Sequence, residues 1–495
     1  MRLDPRTALV AVVLLLTCAL SAAAAMLAAD GSIMGAFLTA TAASLTLLWS
    51  ARGVTGHWTA LAVMFVGFFA LYGLSGPLNV IIGTPLADIF AFPYRTASFL
   101  QQQAHATLGI ALGFLAYALI LGVGETRGAD QQDATSSRSR RPETLGLPFN
   151  TALLCLTLAS LFELITFVRV GGLPALAMGK AVYQSRASDM PMTLPSIELA
   201  SLGFGLAAMW FAGHASSMSR RDQLRRLALM LAVALPVVGV ALALGRRGPL
   251  FGWALVWIVG RSVYMPFRTI PPRLVGAALL LVTASGVLFA GRATLAFGVA
   301  TGDWAPFVSA VTNVPRLVQA INPAGSEFGA TFGNFSEYAM RADEAPRMGR
   351  TYIAGLSTLV PQSLYPGQKP KTITYQYRDE FFPSEAARGA IASTGFSSIL
   401  EAYMNFRDVG VVVVYALVGA VLLFTERLRT AGPYPALFYL QLIPITQSFH
   451  RSELSLPLGI ACMSCVLVLF VRGAALAFAL VTSGVPITPR GASHA

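Results

Sequence analysis

Two adjacent arginines, Arg246 and Arg247, close a hydrophobic run in Gly245-Arg-Arg-Gly248. Paired guanidiniums at the end of an apolar segment suit the bidentate holding of an anion such as a diphosphate. The competing reading is two side chains that snorkel to a membrane interface. A second group of residues suits proton transfer. Glu401 stands a few residues before an apolar run, with Tyr403 and Asn405 beside it, so polar groups gather just above a helix. A carboxylate there can act as general base toward a hydroxyl, or simply cap the helix. Glu327, in Gly325-Ser-Glu-Phe328, and His450, in His450-Arg451, are the other candidate bases, and Arg451 is a further cation for the anion. Glu163 lies within an apolar run, a turn or two from its end, where an unpaired carboxylate is costly. It can serve to hold Arg246 or Arg247, the alternatives being an intrahelical pair with Arg169 or a hydrogen bond across the bundle.

Several residues suit a sugar. Arg378 follows Tyr375-Gln-Tyr377, Arg186 lies downstream of Gly171-Gly-Leu-Pro174, and Tyr403 and Asn405 adjoin Glu401. Sugar rings stack on aromatic faces, and their hydroxyls pair with planar polar side chains. The ordinary reading of any one of these is a solvated surface residue. Absences narrow the chemistry. The hydrophilic segments hold no D-x-D and no paired aspartates for a divalent metal, no phosphate-cradling glycine loop, no H-E-x-x-H and no G-x-S-x-G. A nucleotide-sugar enzyme or an ATPase is therefore not expected, and no metal or cofactor is. Cys18, Cys155, Cys462 and Cys465 all lie in apolar runs, and the C-x-x-C they include has no second ligand cluster, so they are read as packing residues.

The elements that must position these residues are membrane helices. The chain of 495 residues is 55% hydrophobic and 12% charged, with mean hydropathy +0.64. Runs long enough to cross a bilayer recur. The expected spans are 8–29, 32–50, 58–75, 106–123, 149–168, 196–213, 227–244, 249–260, 274–291, 409–425, 433–449 and 455–472, about twelve in all. Residues 473–484 are apolar but too short to span and are left at the surface. Arg2 and Arg6 before an apolar stretch imitate a signal peptide, but the stretch runs on to Ala29, so a retained first helix is expected. The net charge of +12 is spread over short loops, which argues against nucleic acid and for contact with an anionic bilayer.

Arginine placement sets orientation. With both termini in the cytoplasm, the clusters around Arg138, Arg220, Arg268 and Arg427 all fall inside, and only Arg246-Arg247 falls outside. Residues 125–148 then form a flexible inner linker, and 76–105 and 169–195 form outer segments, with His105 at an interface. The chain divides into 1–291, the first nine helices; 292–408, one large outer loop; and 409–495, three further helices and a tail. The loop's Pro, Gly, aromatic and charged content predicts folded structure. No internal repeat is found, which disfavours an inverted-repeat transporter.

With these residues in view, the chain resembles the bacterial oligosaccharide repeat-unit polymerases, the Wzy-type O-antigen and capsule polymerases. The likeness rests on Gly171-Gly-Leu-Pro174 with Arg186, on Gly245-Arg-Arg-Gly248, on the large late loop, and on its ending in Ser398-Ile-Leu-Glu401-Ala-Tyr-Met-Asn-Phe406 followed by Gly410. Arg378 and Gly389 also fit an Arg-x10-Gly spacing described for some members, one that chance supplies in a chain this rich in both. The resemblance implies an all-α polytopic fold similar to the glycosyltransferase C class, in the bacterial inner membrane. It implies metal-independent, inverting transfer of a growing glycan from one polyprenyl diphosphate to the non-reducing end of a new lipid-linked unit, with a chain-length regulator as a possible partner. Arg246, Arg247 and Arg451 would hold the diphosphate, one of Glu401, Glu327 and His450 would be the base, and Arg186, Glu163, Arg378, Tyr403 and Asn405 would contact substrate. Two rivals are an O-antigen ligase, which uses the same donor, and a non-enzymatic transporter of lipid-linked oligosaccharide.

Overall fold

The structure is a computed structural model. It describes residues 5–83, 94–121, 149–178, 195–214, 217–244, 246–263, 297–315, 327–340, 345–357, 364–384 and 395–483, with isolated positions between them. The side chains of Arg247 and Glu327, the linker 125–148 and most of the expected span 274–291 lie outside this set. Among the described residues all regular structure is helical, and nine helices are long and apolar enough to cross a membrane. Helix is the expected form, because in hydrocarbon a segment must satisfy its backbone hydrogen bonds internally. The chain is an all-α multi-pass membrane protein.

The long helices are α1 (Pro5–Ala29), α2 (Ile33–Thr55), α3 (Leu61–Ile81), α4 (Thr96–Leu121), α5 (Phe149–Val170), α6 (Ser196–His214) and α7 (Arg220–Ala243). The expected span at 249–260 is α8, Arg247–Ser262, whose 16 residues rise ~24 Å, short of a full hydrocarbon core. Helices α9 (Glu327–Ala339), α10 (Arg350–Ser357) and α11 (Ile373–Phe381) belong to the large loop, and α12 is Ser398–Thr425. The expected span at 433–449 is broken at Leu442 into α13 (Pro433–Gln441) and α14 (Ile443–Phe449), with Pro444 in the first turn of the second. Proline cannot donate the helical hydrogen bond, which accounts for the break. Residues 473–483 continue α15 (Ser455–Ser483) and do not form a separate surface segment. Pro77 lies inside α3 and His105 inside α4, so the first outer segment is shorter than its sequence limits suggested.

Helix α12 runs along α4 at backbone contact. The G-x-x-x-G of α4 makes this possible: a Cβ on Gly109 would stand 2.4 Å from the Val412 carbonyl oxygen, and one on Gly113 2.2 Å from that of Ala416. Gly419 answers from the other side, 2.8 Å from the Ile110 carbonyl oxygen. Small residues of this kind let membrane helices approach closely and pack by dispersion. At one end of the bundle, Glu426 accepts hydrogen bonds from the Ala62 amide (3.1 Å) and the Tyr439 hydroxyl (2.9 Å). That hydroxyl in turn accepts from the Leu61 amide (2.8 Å), so the start of α3 is capped from across the bundle. Arg429 joins His57 and the Ser262 carbonyl at the same end. The opposite end carries the folded loop. There Phe332, Phe335 and Tyr338 of α9 pack with Phe99, Tyr377, Phe396 and Met404 into a second, aromatic core. The described helices of the large loop are thus packed onto α3, α4 and α12.

Gly113→Val should lower the thermal midpoint of the detergent-purified protein, since overpacking of this kind costs about 1–3 kcal/mol. Gly67→Ala, where an added Cβ meets nothing within 4 Å, should leave it unchanged. Equal midpoints for the two variants would show that the α4–α12 contact does not hold the bundle.

Candidate functional site

Two clusters of polar residues lie at the loop-bearing end. The first forms where α5 ends and α8 begins. Glu163 is buried, and its Oε2 accepts a hydrogen bond of 2.6 Å from Ser196, at the start of α6. Its Oε1 stands 3.6 Å from Arg246 Nη1, with the two side chains only 5% and 14% exposed. The Arg246 guanidinium lies over the Tyr183 ring, 5.5 Å from its centroid. The pairing of Glu163 with the arginine pair is therefore present, through Arg246. Arg186 donates to the Val170 carbonyl at 3.1 Å, and its guanidinium comes within 3.1 Å of where a Gly171 Cβ would be. That contact, with a φ of 115° at Gly171, explains why glycine stands there. Of these residues, Tyr183 is the one set against the Glu163–Arg246 pair, while Arg186 and Gly171 sit together at the end of α5.

This cluster is not internally complete. Arg246 Nε, Glu163 Oε1 and the Tyr183 hydroxyl are buried and have no hydrogen-bond partner among the described residues. Two of these atoms, Arg246 Nε and the Tyr183 hydroxyl, are donors that an oxyanion could accept from. Burial and the neighbouring Glu163 push the Tyr183 phenol up to about 12, with Arg246 opposing, so it is a neutral donor at ordinary pH. Glu163 balances the charge of Arg246, and Arg186 is a further cation at the end of α5. An oxyanion suits such a site.

The second cluster centres on Glu401, in the first turn of α12 and 1% exposed. Its Oε1 accepts from the Thr351 hydroxyl (2.9 Å) and its Oε2 from the Leu454 amide (2.8 Å). Three segments far apart in sequence are tied by one carboxylate. Asn405 is fully used in the same network. Its Nδ2 donates to Thr351 Oγ1 (2.6 Å) and to the Glu401 carbonyl (2.8 Å), and its Oδ1 accepts from the Gly349 amide (2.9 Å). These bonds make Asn405 an anchor of the loop. Next to Leu454, Glu453 is also buried, accepting from the Thr374 amide (2.8 Å), the Thr374 hydroxyl (2.9 Å) and the Ser455 hydroxyl (2.7 Å).

Helix α12 is not one straight rod. Arg407 has φ 58° and ψ −148°, a conformation that costs a non-glycine residue about 1–3 kcal/mol. The kink turns Ser398–Phe406 away from the apolar run that follows. It sets Arg407 over the Tyr403 and Tyr338 rings, 5.1 and 5.9 Å from their centroids. Tyr403 also packs on Phe335 at 5.4 Å, so it belongs to the aromatic core of the loop. Asp408, just past the kink, accepts from Gln102 at 2.6 Å and lies 3.9 Å from His105.

The remaining candidates are placed elsewhere. His450 is a core residue: its Nε2 donates to the Phe65 carbonyl (3.2 Å), and Phe65, Phe69 and Tyr72 pack around the ring at 4.4 to 5.9 Å. A buried imidazole held by a carbonyl is poorly placed to serve as base. Arg451 follows it, half-buried, in the turn that leads to Glu453. Arg378 on α11 bonds its neighbour Asp379 and lies 5.3 Å from the Tyr375 centroid. Lys371, with Arg378, holds the Asp379 carboxyl below its usual range. Arg378 is thus part of a surface ion pair. Thr351, Glu453, Tyr183 and Arg407 were not singled out in the sequence. For Glu453 a signal existed: like Glu401, it stands just before an apolar run.

Comparison with protein-family models, with curated proteins and with solved structures finds no match for this chain. Its function is therefore argued from its own residues.

Breaking a buried pair strands a charge, typically at about 3–5 kcal/mol. Glu163→Gln and Arg246→Gln should each destabilise the protein in thermal unfolding. The double variant should be less destabilised than the sum of the singles, whereas additive losses would show that the two side chains do not interact.

Proposed function

We propose that this chain is a repeat-unit polymerase of the bacterial cell envelope. It would join polyprenyl-diphosphate-linked oligosaccharides on the outer face of the inner membrane. The observation that carries the reading is the Glu163–Arg246–Tyr183 cluster, with two buried donors, Arg246 Nε and the Tyr183 hydroxyl, that lack partners among the described residues. Its charge and geometry fit a diphosphate whose lipid lies in the adjoining bilayer. The far end of the bundle holds Arg220, Arg221, Arg225, Arg226, Arg261, Arg427 and Arg429. Positive residues favour the cytoplasmic side, which supports an outward-facing Arg246 end.

In this reading the acceptor hydroxyl oxygen attacks the anomeric carbon of the donor glycan. The bond from that carbon to the diphosphate oxygen breaks, and the lipid diphosphate departs with the electron pair. Arg246 and Arg247 stabilise the charge that grows on it. The proton passes to a carboxylate, and Glu401 is the one whose surroundings suit the task. It is buried and fixed by two donors, and each of its oxygens keeps a further lone pair for an acceptor hydroxyl. The reading implies an architecture similar to the glycosyltransferase C class, and a chain-length regulator would be the natural partner.

In a strain lacking this gene, lipid-linked single units should accumulate and long polymer should disappear. Complementation with Arg246→Lys or Glu401→Gln should restore protein abundance in the membrane but reduce polymer by about 10-fold or more, as for loss of one transition-state contact. Full-length ladders from both variants would remove these residues from the reaction. Intact polymer that fails to reach its surface anchor would indicate a ligase, and units stranded on the cytoplasmic side a transporter.

A further inference from the structure

Helix α10 is inside out for a helix that faces water. Its buried face is Thr351 and Gly355, one turn apart. Thr351 donates to Glu401 at 2.9 Å, and a Cβ on Gly355 would stand 2.9 Å from that of Ser455, which opens α15. Ile353 and Leu356 are 70% and 50% exposed. A rotation of ~100° per residue sets them on the side opposite Thr351 and Gly355. A helix between protein and water turns its apolar side inward and its polar side outward. Here the threonine points in and the large apolar side chains point out. Met348, in the turn before the helix, adds a third, 70% exposed. Single exposed leucines are ordinary, but these three stand together on a firmly fixed segment. The amides of Arg347 and Met348 donate to the Met404 and Asn405 carbonyls at 2.9 and 3.1 Å.

The seat of α10 identifies what covers it. On one side, Leu359 comes within 3.7 Å of where a Cβ on Gly459 would be, so the turn after α10 lies against the second turn of α15. Among the described residues α15 is the least buried of the membrane-length helices, and its first turn already exposes Leu456. On the other side, Tyr352 stacks on Phe406 at 6.3 Å, and a Cβ on Gly349 would stand 3.2 Å from the same ring. Three residues later Val409 begins the exposed stripe of α12, which Val413 and Leu417 continue. Helix α10 is thus seated on two helices whose exposed stripes face lipid.

We propose that α10 is an interfacial helix, with Met348, Ile353 and Leu356 sunk into the bilayer leaflet on the loop-bearing side. A bilayer is the cover that α12 and α15 already share, whereas a second protein chain would have to displace lipid from both. The depth agrees. Interfacial helices bury their apolar face about 5–10 Å into the headgroup and acyl boundary. Gly459, which Leu359 meets, lies ~6 Å along α15 from Ser455. The assignment is independent of the transferase reading.

The test is the accessibility of nitroxide labels in liposomes. Ile353→Cys, Leu356→Cys, Val413→Cys and Lys371→Cys are made singly in a protein whose four native cysteines are replaced by alanine. Oxygen partitions into hydrocarbon, and a nickel chelate stays in water. The labels at 353 and 356 should collide severalfold more with oxygen than with nickel, as should the label at 413 on the α12 wall. The label at 371 should show the reverse, since Lys371 is 68% exposed in a surface ion pair. Labels at 353 and 356 that match 371 would put the face in water and overturn the proposal. Labels reached by neither reagent would overturn it too, by showing a second chain on that face. The unaltered protein supplies a check that needs no variant. In liposomes the bilayer should shield the Met348 thioether from hydroxyl-radical oxidation, and oxidation as rapid as that of a free methionine would also overturn the proposal.

Discussion

Placing charge inside an apolar bundle is the constraint on which this structure turns. A buried ion loses water and must recover the loss from partners. At one end of the bundle the carboxylate meets that requirement within the protein, although Arg429 beside it keeps an Nε with no hydrogen-bond partner among the described residues. Glu426 has both oxygens filled, by Ala62 and Tyr439, and in meeting its own need it caps α3. At the other end the requirement is met by half. Glu163 holds Ser196 with one oxygen and leaves the other beside an arginine whose Nε is unpaired. In the proposed reading, the diphosphate supplies the acceptor that these open donors lack.

The Glu401 cluster works differently. Its carboxylate is tied to α10 and to the start of α15, and Asn405 ties the Gly349 turn to the same helix. These bonds fasten the loop onto the bundle. The kink at Arg407 lets one continuous segment serve loop and membrane alike. Before it the chain faces the aromatic core of the loop, and after it the chain becomes a transmembrane wall. A straight helix would carry Phe406 and Tyr403 around with the apolar stripe. The strain is held by packing on both sides, by the tyrosines against Arg407 and by Gln102 against Asp408.

Much of this was legible in the sequence because depth in a membrane leaves a mark on composition. A glutamate within an apolar run has to find a cation, and the nearest at the same level was Arg246. The large loop announced itself as folded through its aromatics, which now appear as one core. Tertiary partners left no such mark. Thr351 lies 50 residues from Glu401, and nothing in its own neighbourhood marks it as a hydrogen-bond donor to a buried carboxylate. His450 looked interfacial because it ends an apolar run, but the helices around it are longer than their apolar runs, so it falls among Phe65, Phe69 and Tyr72. The break before Pro444 was hidden because the residues on both sides are apolar. Hydropathy reads that stretch as one span, while backbone chemistry divides it.

The central claim is that this protein joins lipid-linked glycans by itself. The most direct measurement is to incubate the purified protein, in lipid nanodiscs, with one defined polyprenyl-diphosphate-linked repeat unit and no other glycan donor. The products would be resolved by size. The account predicts a ladder that advances by whole repeat units, with polyprenyl diphosphate released in step with each addition. A protein that is folded, binds the substrate and returns it unchanged would contradict it.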